Sequence, residues 1–138
     1  MPKNRKLYDE GMKVRREVLG DEYVDRALER VTEFNSDLQD MVTEFGWGGI
    51  WTRPGLSRQT RSLLNLAMLT ALNRPHELAT HVRGALRNGC TPDEIREVFL
   101  QAAGYCGFPA AIDAFRTAAE IVAEWGTDSE SQPADGST

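Results

Sequence analysis

The run HELATH at residues 76–81 sets two histidines and a glutamate close together, one residue out of step with a zinc-protease signature. A zincin needs its histidines four residues apart on one helical face, with the glutamate between them as base. Here His76 and His81 are five apart, which turns them by about 140° around a helix. His76 also falls in the first turn behind Pro75, and the chain has two histidines in all. No zinc site is expected. A different pair does share a face: Glu77 and His81 stand at i and i+4, one turn apart. His81 borders the apolar ridge Leu78, Val82, Ala85 and Leu86. A histidine at such an edge, with a carboxylate one turn below, can be held in one tautomer and tuned as a general acid or base. The same spacing also describes a boundary histidine in a surface ion pair, and spacing alone favours that plainer arrangement.

Four further residues carry chemical interest. Arg61 stands among leucines and wants an anionic partner, either a ligand or an internal glutamate such as Glu77, Glu94 or Glu97. Arg53 and Trp51 lie in GWGGIWTRPG, where glycine hinges around aromatic and arginine residues suit a substrate-covering lid or a subunit contact. Tyr105, near a glycine that ends a helix, suits core or pocket.

The elements that must position these residues read as helices nearly throughout. Leu7 to Leu19 form a first amphipathic segment, closed by GDE at 20–22. A second, from about Glu22 to Glu44, repeats apolar residues near a 3.6 period. GWGGIWTRPGLS then reads as a loop. Ser57 can cap a third helix running to about Asn73, apolar almost all round and hence expected to be central and buried. Pro75 opens a fourth helix with Gly89 as its left-handed cap, and TPDE at 91–94 is a capping box for a fifth. Gly107 and Pro109 separate that from a sixth. The expected fold is all-α: about six helices in a bundle over residues 1–126, with 127–138 as a disordered acidic tail.

Composition agrees with a soluble domain: 41% hydrophobic, 27% charged and a net charge of −5, which gives no basic footprint for nucleic acid or anionic membrane. No stretch approaches a membrane span or an export signal, so a cytoplasmic protein is expected. Cys90 and Cys106 form no C-x-x-C and are expected to be free thiols.

Taken as an ordered set, GMKVRREVLG, WTRPGLSRQTRSLLNLAMLTAL and ELATHVRGALRNGCTPDEIREVFLQAAGYCGFPAA resemble the carboxymuconolactone decarboxylase family over about residues 7–125. The resemblance implies a helical bundle of the alkylhydroperoxidase and carboxymuconolactone decarboxylase type. It implies loss of CO2 from a γ-lactone that carries a ring carboxylate and an acetate arm, in aromatic catabolism. The lactone takes up the electrons itself, so no cofactor and no metal are implied. His81 would be the acid or the oxyanion donor, with Glu77 orienting it. Arg61 or Arg53 would hold the carboxylate that stays, and Trp51 and Tyr105 would wall the pocket. A homo-oligomer, trimer or hexamer, is implied as well. In the peroxidase branch of the wider family a C-x-x-C precedes the shared histidine. Arg74 and Glu77 fall there in this chain, and Ser62 falls near that branch's glutamate, so thiol peroxidase chemistry lacks its nucleophile. Asp113 departs from the pattern, standing where a neutral residue is expected; facing the pocket, it would disfavour a dianionic substrate. Two alternatives are a related lactone decarboxylase, hydrolase or isomerase, and a non-enzymatic oligomer that docks a partner through its tryptophan loop.

Overall fold

The structure, a computed structural model, describes residues 1–131. Among these are seven α-helices, one π-helical segment and no strand. The all-α expectation holds, with one helix more than expected. Contacts divide the chain into two units, Met1–Ser62 and Leu63 onward, and among the described residues no helix is long and apolar enough to cross a membrane.

In the first unit, α1 (Arg5–Leu19) begins at an N-cap, where Asn4 Oδ1 accepts from Leu7 N at 3.1 Å. Its buried residues, Gly11, Val14, Arg15, Val18 and Leu19, recur at three and four and so form one stripe. Gly20, at φ 89°, turns the chain into α2 (Asp21–Glu29). Arg16 braces the corner through Asp21 and Asp25, at 3.2 and 2.8 Å.

The single helix expected over 22–44 is broken. α2 ends at Glu29 and α3 spans Ser36–Met41. Between them, Asn35 Oδ1 accepts from Thr32 N at 2.8 Å, a local side-chain bond that competes with the helical ladder. β-Branched Val31 and Thr32 weaken the helix at the same place.

The expected loop starts later than its glycines led us to expect. Val42–Ile50 winds as a π-helix running straight on from α3, and Trp51 N donates to Gly46 O five residues back. The wider turn brings Trp47 and Trp51 almost one above the other, stacked at 5.0 Å and 25°. Both are buried with Val14, Val18, Leu19 and Val24.

This segment packs on α1 through glycines. A Cβ on Gly11 would collide with the carbonyl of Thr43 and lie 2.6 Å from Gly48 N, and one on Gly48 would collide with the carbonyl of Leu7. The two backbones therefore touch where side chains would normally stand. Buried Glu44 reinforces the join by accepting from Lys3 N and Asn4 N, both at 2.8 Å, at the positive end of α1. Arg15, also buried, donates to Thr43 Oγ1 and Gln39 Oε1 at 3.2 and 3.1 Å.

α4 (Arg58–Ala71) carries the chain into the second unit, with Ser57 Oγ accepting from Thr60 N as expected of a cap. It is not buried all round. Leu66 is fully buried, whereas Leu64, Met68 and Leu72 form an exposed row at 47, 52 and 63%. Burial reaches only the face turned to the core of α5 (Pro75–Arg87), α6 (Pro92–Cys106) and α7 (Phe108–Ser131). There Leu66, Leu78, Val82, Leu86, Ile95 and Phe99 pack together, and Phe99 meets Phe115 edge-on at 5.3 Å. The local signals at these helix ends hold: Pro75 at the start of α5, Gly89 at φ 90°, and the reciprocal Thr91–Glu94 capping box. α7 runs to Ser131, into the stretch expected to be a tail, and 132–138 lie outside the described residues.

The glycine contact yields a stability prediction. Gly11→Ala must push two backbones apart and should lower unfolding free energy by about 1–3 kcal/mol, the range for overpacking. Gly104→Ala, in α6 with nothing near its absent Cβ, should instead raise it by roughly 0.5–1 kcal/mol. Urea unfolding of the two variants checks both signs.

Candidate functional site

In the second unit, His81 sits on α5 between buried Thr80 and Val82 and is itself partly buried. Its Nδ1 lies 3.5 Å from Nδ2 of Asn65 on α4. Burial pushes the His81 pKa below the ordinary 6.5, and the charge of Glu77 opposes this more weakly. Glu77 is exposed one turn back, so it acts on the ring as a solvent-facing charge. At neutral pH the imidazole is therefore uncharged, with one nitrogen to donate and one to accept.

In the first unit, Arg61 stands at the start of α4 and donates from Nη2 to the carbonyl of Arg53 at 3.0 Å. Its Nε is buried and has no hydrogen-bond partner among the described residues. None of the glutamates considered as partners pairs with it; the described ion pairs of the arginines do not include Arg61. A partly buried guanidinium without a carboxylate is an unfinished arrangement, and an anionic ligand would complete it. Arg53 itself is exposed, in the turn after the π-helix. Trp51 is packed into the core against Trp47, while Tyr105 is 85% exposed at the end of α6.

A groove of about 590 Å³ lies elsewhere in the second unit, with Leu69 and Leu78 on its floor and Arg74, Asp113 and Arg116 along it. Asp113 is exposed and pairs with Arg116 at 3.4 Å. Its negative charge thus shares the groove with two arginines, and neither His81 nor Glu77 lines it. Of the two thiols, Cys90 is buried, and burial together with the charge of Glu94 pushes it up to about 11; Cys106 is exposed. A thiol so raised is a poor nucleophile.

Asn65 was the contact not anticipated from the sequence. A signal was present in LLNL, a carboxamide inside an apolar helical run, where a polar residue needs a partner.

The family model described as Carboxymuconolactone decarboxylase family matches residues 36–120, from the start of α3 well into α7. The chain belongs to this family. The match takes in Trp51, Arg61, Asn65 and His81 together. Among relatives, the 4-carboxymuconolactone decarboxylase of Acinetobacter baylyi is 44% identical over 119 residues, 86% of this chain and 89% of the relative. The nitrosuccinic acid decarboxylase of Metarhizium robertsii is 50% identical over 111 residues, 80% of this chain and 78% of the relative. A 4-carboxymuconolactone decarboxylase of Pseudomonas putida is 50% identical over 44 residues, 32% of this chain and 92% of the relative.

The lowered His81 pKa has a stability consequence. Above the ordinary 6.5 both folded and unfolded states hold the ring uncharged. As pH falls through 6.5 toward the depressed folded value, the unfolded chain gains a proton that the folded chain resists, so stability falls. Urea unfolding between about pH 5 and about pH 8 should show this loss in the parent and a smaller one in His81→Gln. Equal slopes would mean that His81 titrates alike in both states.

Proposed function

We propose that this chain is a decarboxylase that needs no cofactor and acts on a carbon bearing three things: the departing carboxylate, an acetate arm, and a conjugated electron sink ending in oxygen. One observation carries the reading: two relatives, matched over 86% and 80% of this chain, are named for decarboxylating acids that both fit this description. In 4-carboxymuconolactone the sink is the ring alkene and lactone carbonyl. In nitrosuccinic acid it is the nitro group.

In either acid the C–CO2 bond breaks and its electron pair moves onto the sink, giving a dienolate or a nitronate. A proton then adds at carbon, giving an enol-lactone or 3-nitropropanoate. Because the substrate stores the electrons, the protein has three tasks. It must stabilise negative charge on the sink oxygen, supply or admit a proton, and hold the acetate arm. It must not clamp the carboxylate that leaves, since that would stabilise the ground state. His81 serves as acid or oxyanion donor with Glu77 beside it, and Arg61 or Arg53 takes the retained carboxylate. The buried, unpartnered Nε favours Arg61. Trp51 serves by packing the wall behind the π-helix, and Tyr105 can serve as a wall only where a second copy covers it. The exposed row Leu64, Met68 and Leu72 supports assembly with such copies.

We take 4-carboxymuconolactone, in protocatechuate catabolism, as the substrate, because the match to its decarboxylase extends over 86% of this chain and 89% of that enzyme. Nitrosuccinic acid is the second reading, favoured by the higher identity of its decarboxylase. CO2 release with NMR identification of the product, in the presence of EDTA, separates them: conversion of freshly generated 4-carboxymuconolactone to the β-ketoadipate enol-lactone is expected. Turnover of nitrosuccinic acid alone would move the substrate to the second reading, and no release from either would sink the decarboxylase.

Variants test the roles. His81→Ala should cut kcat about 10²-fold or more. Arg61→Ala should raise KM with a smaller effect on kcat, helix content by circular dichroism remaining intact. Near-normal turnover in either removes that residue from the reaction.

A further inference from the structure

His81 has been left two roles, and its neighbour on α4 chooses between them. We propose that Asn65 is a positioning residue that fixes the tautomer of His81, placing the imidazole proton on Nε2 so that the ring offers a hydrogen-bond donor to the sink oxygen. The choice of role rests on the decarboxylase reading; the tautomer does not.

The geometry is specific. Asn65 meets the ring through Nδ2, which can only donate, and this atom faces Nδ1 at 3.5 Å. A nitrogen approached by a donor must keep its lone pair. In an uncharged imidazole the proton then belongs to the other nitrogen. The contact is at the outer limit of hydrogen bonding, as catalytic bonds often are before substrate tightens the site. Both residues are held at the backbone: Asn65 precedes fully buried Leu66 on α4, and His81 is flanked by buried Thr80 and Val82 on α5. The desolvation that lowers the His81 pKa keeps the ring in the uncharged form this requires.

The consequence is chemical. An uncharged imidazole carrying its proton on Nε2 is too weak an acid to protonate carbon, yet it can stabilise a dienolate or nitronate oxygen by hydrogen bonding. His81 is then the oxyanion donor, and the proton that completes the product at carbon comes from water. Asn65 touches no reacting atom in this scheme. It acts through the ring.

Two-bond 1H–15N correlation spectra of the uniformly 15N-labelled full chain at neutral pH read the tautomer directly, with exposed His76 assigned by a His76→Gln variant. A pyridine-like Nδ1 and a pyrrole-like Nε2 are expected for His81. Asn65→Asp, nearly isosteric, should draw the proton to Nδ1, and Asn65→Leu should abolish the single tautomer. Asn65→Asp should also lose about 10²-fold in kcat with KM little changed, as expected for a misdirected oxyanion donor. A pyrrole-like Nδ1 in the parent, or an unchanged tautomer in Asn65→Leu, overturns the proposal. If the tautomer follows Asn65 but the parent releases no CO2 from either acid, the decarboxylase reading fails and the positioning stands.

Discussion

The first unit depends on a contact made without side chains. Gly11 and Gly48 let α1 and the π-helix meet backbone to backbone, and the spacing of everything around them follows from that approach. Thr43 and Glu44 come within reach of Arg15 and of the start of α1 because the π-helix lies so close. Trp47 and Trp51 then have a defined depth into the core formed by Val14, Val18 and Val24. The turn carrying Arg53 leaves directly from this packed segment, so the carbonyl that receives Arg61 is anchored by it. A wide helical turn is uncommon because it is less well packed along its own axis. Here the loss is offset by the tryptophan stack and the aliphatic residues that enclose it.

The second unit solves a different problem, which is how to keep one histidine uncharged beside an exposed carboxylate, Glu77. Desolvation and Glu77 pull the ring in opposite directions, and desolvation is the stronger. An exposed carboxylate is screened by water, while a half-buried ring loses its solvation outright. This ordering is what gives the Asn65 contact its meaning. A cationic ring would carry protons on both nitrogens and leave no tautomer to select.

Much of the fold was legible from local chemistry. Ser57, Pro75, Gly89 and the Thr91–Glu94 box mark helix ends by bonds that span a few residues, so sequence order is enough to read them. One misreading was local and the others were tertiary. The period over 22–44 is helical on paper, but Asn35 turns back to Thr32 and breaks it. The glycines at 46, 48 and 49 were read as flexibility, whereas Gly48 is a point of contact with a helix more than thirty residues earlier in the chain. The circumference of α4 is apolar, but which parts are covered depends on what packs there, and Leu64, Met68 and Leu72 are left bare. For the candidate site, the pair Glu77 and His81 could be read from spacing. Asn65 could not be paired with His81 that way, since nothing in the intervening residues aligns two helices to one hydrogen bond.

The two cysteines differ in a way that matters at the bench. Cys90, in the link between α5 and α6, is buried with its thiol held protonated, and Cys106 stands open at the end of α6. In air, oxidation will select Cys106 and tie separate molecules together while the core remains reduced. Bands of double mass on a non-reducing gel would then record storage conditions, and assembly must be judged with reductant present.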